Sequence, residues 1–328
     1  MLPSAAAAHR QAAEARGPDL RRRQMTFAPG GAHNEHFTFT RRKPMNTIRK
    51  VGVIGAGTMG NGIAQACAVS GIDVVMVDVA EAAVLRGLAA LTGSLDRLQK
   101  KEKITVADKD AALKRIHGTT SYDALKSCDL VIEAATENEE LKVRILKQID
   151  ALVGPDVILA TNTSSISITK LAAVTSRPGK FVGMHFFNPV PMMALVELIR
   201  GLQTEDATVA TVAALAKTLG KTPIVVKNSP GFVVNRILCP MINEAVFALQ
   251  EGLATAEEID NGMKLGCSHP IGPLALADMV GLDVMLAVME VFYRDFNDPK
   301  YRPALLLKEM VAAGHLGRKS GRGFYVYK

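Results

Sequence analysis

No stretch of the chain approaches the roughly 18 consecutive apolar residues that a spanning helix requires, so we expect no membrane partner. Cysteine is scarce, and Cys67, Cys128, Cys239 and Cys267 show no C-x-x-C spacing. That argues against a zinc site or a disulfide framework; free thiols in the cytoplasm and no bound metal are the expectation. Neither sign of charge dominates. The formal net charge of +7 owes part of its size to Arg21, Arg22, Arg23, Arg41, Arg42 and Lys43 near the N-terminus, so we infer no nucleic-acid partner. The mildly basic remainder suits an anionic substrate. Hydrophobic residues at 48% and charged residues at 22% exclude wholesale disorder and fibrous repeats.

A length of 328 residues exceeds what a single core usually organises, which points to two folded units with room for a tail. Residues 1–44 are rich in Ala, Arg, Gly and His without an apolar period. Two readings compete for them. A mitochondrial presequence should be acid-poor and helical, but Glu14, Asp19 and Glu35 interrupt this one, and Pro18, Pro29 and Gly30-Gly31 break any amphipathic helix. The favoured alternative is a mis-assigned start, with Met45 as the functional first residue and 1–44 outside the fold.

Lys50 to Ile54 is a short β-branched run that leads into Gly55-Ala56-Gly57-Thr58-Met59-Gly60 and then a helical stretch, Asn61 to Val69. In a strand–turn–helix setting, Gly55 makes the tight turn, Gly57 admits a pyrophosphate close to the backbone, and Gly60 lets helix and strand pack closely. The phosphates then sit on the helix N-terminus. A second apolar strand, Ile72 to Val77, ends in Asp78, eighteen residues beyond Gly60. An acid at that place binds ribose hydroxyls and would repel a 2′-phosphate, so the expected cofactor is NAD rather than NADP.

Strand and helix go on alternating: Asp129–Ala134, Asn138–Val153, Val157–Thr161 and Ile168–Val174. This is the pattern of an α/β domain with a Rossmann-type, doubly wound parallel sheet. A helical insertion is expected over 81–116, carrying Arg97, Lys100, Lys101 and Lys103. Its charges are an ordinary solvated face, or an arm that meets a phosphate-bearing substrate through Ser94 and Lys101, seven residues apart on one face.

Phe181–Phe187 and Ala194–Ile199 are strand-like runs joined by a Pro-rich connection. Paired as an antiparallel hairpin centred on Pro191, they set His185 directly opposite Glu197. A single His in a strand is ordinarily structural. A His facing a carboxylate at the ligand edge of such a sheet is suited to take the proton of an alcohol as hydride leaves for a nicotinamide. Two further polar clusters, Thr161 to Ser165 and Asn228 to Arg236, have turn and cap chemistry as their plain explanation. From Pro230 on, helical periodicity takes over in 232–250, 256–265, 274–296 and 304–313, so we divide the chain into a dinucleotide domain at 45–229 and an all-α C-terminal domain at 230–328. The apolar surplus in that second domain, including Val284, Met285, Leu286, Val288, Met289, Val291 and Phe292, either packs on the first domain or forms a homodimer interface.

With these residues assembled, the chain from about Met45 resembles the L-3-hydroxyacyl-CoA dehydrogenase family, most closely its short bacterial 3-hydroxybutyryl-CoA members. The resemblance rests on Val53 to Gly60, Asn162-Thr163-Ser164-Ser165, His185 to Val190, Pro230 to Arg236 and Gly321-Arg322-Gly323-Phe324-Tyr325. It implies reversible NAD-dependent oxidation of a short (S)-3-hydroxyacyl-CoA, with His185 as base, Glu197 as its carboxylate partner, and Ser164 and Asn235 hydrogen-bonding around the reacting oxygen. It also implies that Thr58, Met59, Glu137, Lys142 and Asn162 lie near the cofactor, that Ser94 and Lys101 contact the coenzyme A moiety, and that the helical domain dimerises. Two alternatives remain: a dehydrogenase of a hydroxy acid or sugar acid without coenzyme A, and a nucleotide-sensing protein without turnover.

Overall fold

The computed structural model describes residues 47–327; the stretch 1–44, read above as a tail or mis-assigned start, lies outside the described residues. The first part of the described chain is one eight-stranded sheet of order β3-β2-β1-β4-β5-β6-β7-β8. Its strands are β1 (Lys50–Ile54), β2 (Asp73–Val77), β3 (Ile116–Thr119), β4 (Leu130–Glu133), β5 (Ile158–Thr161), β6 (Phe181–Phe186), β7 (Leu195–Arg200) and β8 (Thr222–Lys227). Strands β1 to β6 run parallel, β7 is antiparallel to β6, and β8 is parallel to β7.

Period-2 alternation decides which side chain meets which layer. Val51, Val53, Val74, Met76, Leu130, Ile132, Val182, Met184, Val196 and Leu198 share one core. It is closed by α1 (Thr58–Val69), α2 (Glu81–Lys100), α3 (Val106–Lys114) and α6 (Asp206–Thr218), through Ile63, Leu91, Leu95, Ala112, Val212 and Leu215. The intervening residues Ile54, Val75, Val77, Val131, Leu159, Phe181 and Ile199 face a second core under α4 (Glu139–Leu152) and α5 (Ile168–Ala172). Strands buried on both faces read as continuous apolar runs, as these do.

The chain then forms five α-helices among the described residues: α7 (Val234–Gln250), α8 (Ala256–Gly266), α9 (Pro273–Val280), α10 (Leu282–Phe296) and α11 (Leu305–Ala312). Cys239, Ile242, Val246, Leu274, Met285, Met289 and Phe292 are at the heart of their common core. A carboxylate clasps the C-terminal segment: Asp278 accepts from the amides of Phe324 and Tyr325 at 3.0 Å and from the Tyr327 hydroxyl at 2.9 Å. This gives the Gly321 to Tyr325 motif a packing role.

Several expectations need correction. The helical stretch placed over 81–116 is two helices, and Ile116 returns the chain to the sheet as β3, an edge strand too short and too exposed to show alternation. Helix α1 begins at Thr58, directly on the glycine turn, rather than at Asn61. Residues 206–227, given no assignment, hold α6 and β8. The helix expected over 274–296 is broken at Gly281, whose φ of 106° no helix accommodates. Of the apolar residues read there as either core or homodimer interface, Met285, Val288, Met289 and Phe292 are buried within the chain, while Val284 is exposed.

Candidate active site

The glycine turn is shaped for a dinucleotide. A Cβ on Gly60 would fall 1.8 Å from the Gly55 carbonyl oxygen, so only glycine lets α1 start this close to β1. A Cβ on Gly57 would meet nothing within 4 Å, which leaves open space over the first turn of α1. That turn has no acidic residue and no side-chain cap, so its amides face the opening unopposed. Asp78 follows β2; its Oδ2 accepts from the Ala56 amide at 2.9 Å, and its Oδ1 from the Ala80 amide at 3.4 Å. It lines a cavity of about 500 Å³ with Gly55, Val79, Tyr122 and Ala135, the place for an adenosine ribose. These features fit NAD, and Gly55, Gly57, Gly60 and Asp78 are the residues that would hold it.

Next to it lies a cavity of about 630 Å³ lined by Gly57, Thr58, Met59, Glu137, Lys142, Asn162, Ser164, His185 and Asn235 among others. Ala135 lines both cavities. The β6–β7 register pairs His185 with Glu197 as the hairpin geometry requires. His185 Nδ1 is 2.7 Å from Glu197 Oε2. Glu197 is fully buried, and its other oxygen, Oε1, accepts from the amides of Val233 and Val234, each at 3.0 Å. These amides open α7, so both oxygens of the carboxylate are engaged, one by the imidazole and one by a helix N-terminus. An ionised carboxylate only accepts, which puts the imidazole proton on Nδ1 and leaves the Nε2 lone pair for the cavity. The ring is wedged between Phe187 and Phe232, with centroids 4.5 and 5.6 Å away.

Asn162 Oδ1 accepts from the Phe186 amide at 2.8 Å, joining the ends of β5 and β6 beside His185. Glu137 Oε1 accepts from the Thr163 hydroxyl and the Ser164 amide at 2.7 Å, and from the Ser164 and Ser165 hydroxyls at 3.1 Å. Lys142 is buried; its ammonium bonds Glu133 and Thr161 and stands 3.9 Å from Glu137 Oε2. Leu238, Cys239, Val284, Met285 and Val288 of the helical domain supply an apolar wall. Burial pushes the Cys239 thiol up to about 12, so at neutral pH it is wall material rather than a nucleophile.

The structure thus gathers Thr58, Met59, Glu137, Lys142, Asn162, Ser164, His185 and Asn235 around one cavity, with Glu197 behind His185 and Asp78 next door. Ser94 and Lys101 are not in that lining. Ser94 is half-buried on α2, and Lys101 caps the helix at its exposed end. Glu133 was missed as a site element, its one sequence signal being the acid that closes the apolar run Leu130-Val131-Ile132-Glu133; Thr161, Thr163 and the amides of Val233 and Val234 fall in the two polar clusters for which turn and cap chemistry is the plain explanation.

A doubly wound sheet that sets a dinucleotide turn beside a carboxylate-held imidazole has the layout of an NAD-linked dehydrogenase acting on an alcohol carbon. The family model for the 3-hydroxyacyl-CoA dehydrogenase NAD binding domain matches residues 50–229, and that for the family's C-terminal domain matches residues 231–327. The chain belongs to the 3-hydroxyacyl-CoA dehydrogenase family. It is 54% identical over 278 residues to a probable 3-hydroxybutyryl-CoA dehydrogenase of Deinococcus radiodurans, covering 85% of this chain and 100% of that one. It is 52% identical to the 3-hydroxybutyryl-CoA dehydrogenase of Bradyrhizobium diazoefficiens, over 86% of this chain and 96% of the relative. The crystal structure of (S)-3-hydroxybutyryl-CoA dehydrogenase from Ralstonia eutropha superposes with a TM-score of 0.85 at 74% identity, covering 86% of this chain and 100% of that one. No helix among the described residues is long and apolar enough to cross a membrane.

Proposed function

We propose that this chain interconverts a short (S)-3-hydroxyacyl-CoA and its 3-ketoacyl-CoA using NAD, with His185 as the acid–base group. The observation that carries the reading is the His185–Glu197 pair facing the cavity that the glycine turn also lines. Bound NAD supplies the hydride acceptor, and NADH the donor. In the oxidation direction, neutral His185 takes the hydroxyl proton at Nε2, and Glu197 stabilises the imidazolium across the Nδ1 bond. In reduction, the imidazolium returns that proton to the developing alkoxide.

Ser164 and Asn235, both on the cavity lining, hold the reacting oxygen. Ser164 already donates to Glu137, so substrate competes for that hydroxyl. The wall from Leu238 to Val288 receives the acyl group. Ser94 and the exposed Lys101 meet the anionic coenzyme A moiety, a role supported by the place of Lys101 at the basic end of α2, beside Arg97 and Lys100. The dinucleotide domain is 45–229 and the substrate and dimerisation domain is 230–328. Ile237, Leu253, Leu265, Met279 and Leu305 stay exposed on the helical domain and support a homodimer there, in the cytoplasm.

The test is NADH oxidation with acetoacetyl-CoA, longer 3-ketoacyl-CoA thioesters and free acetoacetate. We expect turnover with the short thioester. Turnover with the free acid alone overturns the thioester reading.

A further inference from the structure

Behind the cavity lies a buried ion pair that the reaction above does not use. Glu133, at the end of β4, has 0% exposure, and the Lys142 side chain on α4 has 1%. The Lys142 ammonium donates to Glu133 Oε2 and, at 3.3 Å, to Thr161 Oγ1; the Thr161 hydroxyl donates to the same carboxylate oxygen at 2.8 Å. Glu133 Oε1 accepts from the Ala135 amide at 2.9 Å. Every polar atom is engaged, yet such a pair is a poor source of stability, because desolvation offsets the attraction. Its placement asks for another reason.

That reason is geometric. Ala135 lines both the Asp78 cavity and the His185 cavity, so a dinucleotide spanning them must pass it. Thr136 and Glu137, the next two residues, line only the His185 cavity, and Lys142 does too. Glu133 therefore grips both ends of this segment: the Ala135 amide through one oxygen, and through the other the ammonium that stands 3.9 Å from Glu137. Glu137 in turn holds Ser164. We propose that Glu133 is a positioning residue for the nicotinamide end of the cofactor, fixing the 134–137 segment and the Lys142 ammonium against which that end is seated. The inference rests on the NAD-linked reading of the two cavities. It makes Glu133 selective: its loss is felt beyond Ala135, at the His185 end, and not at the Asp78 end.

The experiment compares binding of NADH with binding of ADP, which carries only the adenosine and pyrophosphate part, in the full chain and in Glu133→Gln, Thr161→Val, Lys142→Met and the Glu133→Gln/Lys142→Met double variant. We expect Glu133→Gln to weaken NADH by about tenfold or more, as for groups coupled in one network, and to leave ADP within about twofold. The Glu133 and Lys142 effects should be non-additive in the cycle. Equal weakening of both ligands, or a lowered melting temperature with both affinities unchanged, overturns the proposal in favour of a purely structural pair. Should Glu133→Gln not fold, Thr161→Val and the double variant, which removes both charges together, decide by the same comparison. Neither ligand is an acyl-CoA, so failure here is distinct from failure of the thioester assay.

Discussion

Glu197 joins the two halves of the active site: its Oε2 lies 2.7 Å from His185 Nδ1 on β6, and its Oε1 accepts two amides that open α7 in the helical domain. His185, the proposed base, is thereby held in one tautomer, with Nε2 toward the cavity. Replacing His185 by Gln removes the proton acceptor and leaves the dinucleotide contacts at Gly57 and Asp78 intact. We expect turnover with acetoacetyl-CoA to fall by roughly 10² to 10⁴, the usual worth of a positioned acid or base, while NADH affinity barely moves. Steady-state kinetics beside NADH titration check this; near-normal turnover would mean that another residue is the base.

Glu197→Gln tests the tautomer. The amide oxygen can keep the bonds from Val233 and Val234, which turns the amide NH₂ toward Nδ1. His185 must then accept at Nδ1 and carry its proton on Nε2, the wrong arrangement for removing a hydroxyl proton. Turnover should drop by about 10² or more, comparable in kind to the loss seen when the acid of a catalytic triad becomes an amide. Melting should change little, because the shape and the helix-capping bonds persist. A full-rate Glu197→Gln enzyme would refute the assigned proton positions.

How much of this was legible beforehand follows from how local each signal is. The glycine turn and Asp78 are close in sequence and carry their own geometry. The His185–Glu197 pairing was legible because a hairpin of two buried strands has little freedom of register. The clamp on Glu197 was not, because its donors are backbone amides of Val233 and Val234, which no side-chain pattern marks. Glu133, Lys142 and Thr161 sit on three elements, and only the sheet order brings β4 and β5 together behind α4. Strand β3 escaped because an edge strand buries too little to alternate.

Asp150 and Arg177 supply a stability test away from the site. Burial raises the Asp150 carboxyl, but the Ser176 amide, the Arg177 side chain and the Ser176 hydroxyl outweigh it and hold the group below its ordinary range. Arg177 Nε donates to Asp150 Oδ1 at 2.7 Å, with both side chains largely buried. A depressed folded-state value means the stabilisation is complete above the unfolded value of about 4 and is lost as pH falls through the lower, folded value. Asp150→Asn should therefore cost about 1.5–3 kcal/mol at pH 7, the range for hydrogen bonds to a charged group. The gap to the parent chain should begin to narrow below about pH 4 and close only as the pH falls through the lower, folded value. Denaturant unfolding at the two pH values measures it; a gap independent of pH would show that the carboxylate charge contributes nothing.

We propose that Asp78 sets which dinucleotide the chain accepts. Its carboxylate ends β2 beside the glycine turn, where Oδ2 is held by the Ala56 amide and the group faces the cavity assigned to the adenosine ribose. An anion there accepts from the 2′- and 3′-hydroxyls of NAD and repels the 2′-phosphate of NADP. Arg144 also lines that cavity, so removing the acid leaves a cation facing the ribose. In Asp78→Ala, NADH should lose about 1.5–3 kcal/mol of binding, the worth of hydrogen bonds to a charged acceptor. NADPH should lose less, or gain, because the repulsion goes and Arg144 is free to meet the phosphate. The Ala56 amide loses its partner in either case, so any general loosening of the turn affects both cofactors alike and cancels in their ratio. The informative quantity is therefore the NADH-to-NADPH ratio of kcat/KM, measured with acetoacetyl-CoA in the parent chain and the variant. A ratio that falls by about tenfold or more fits the ribose contact, and an unchanged ratio places the ribose elsewhere.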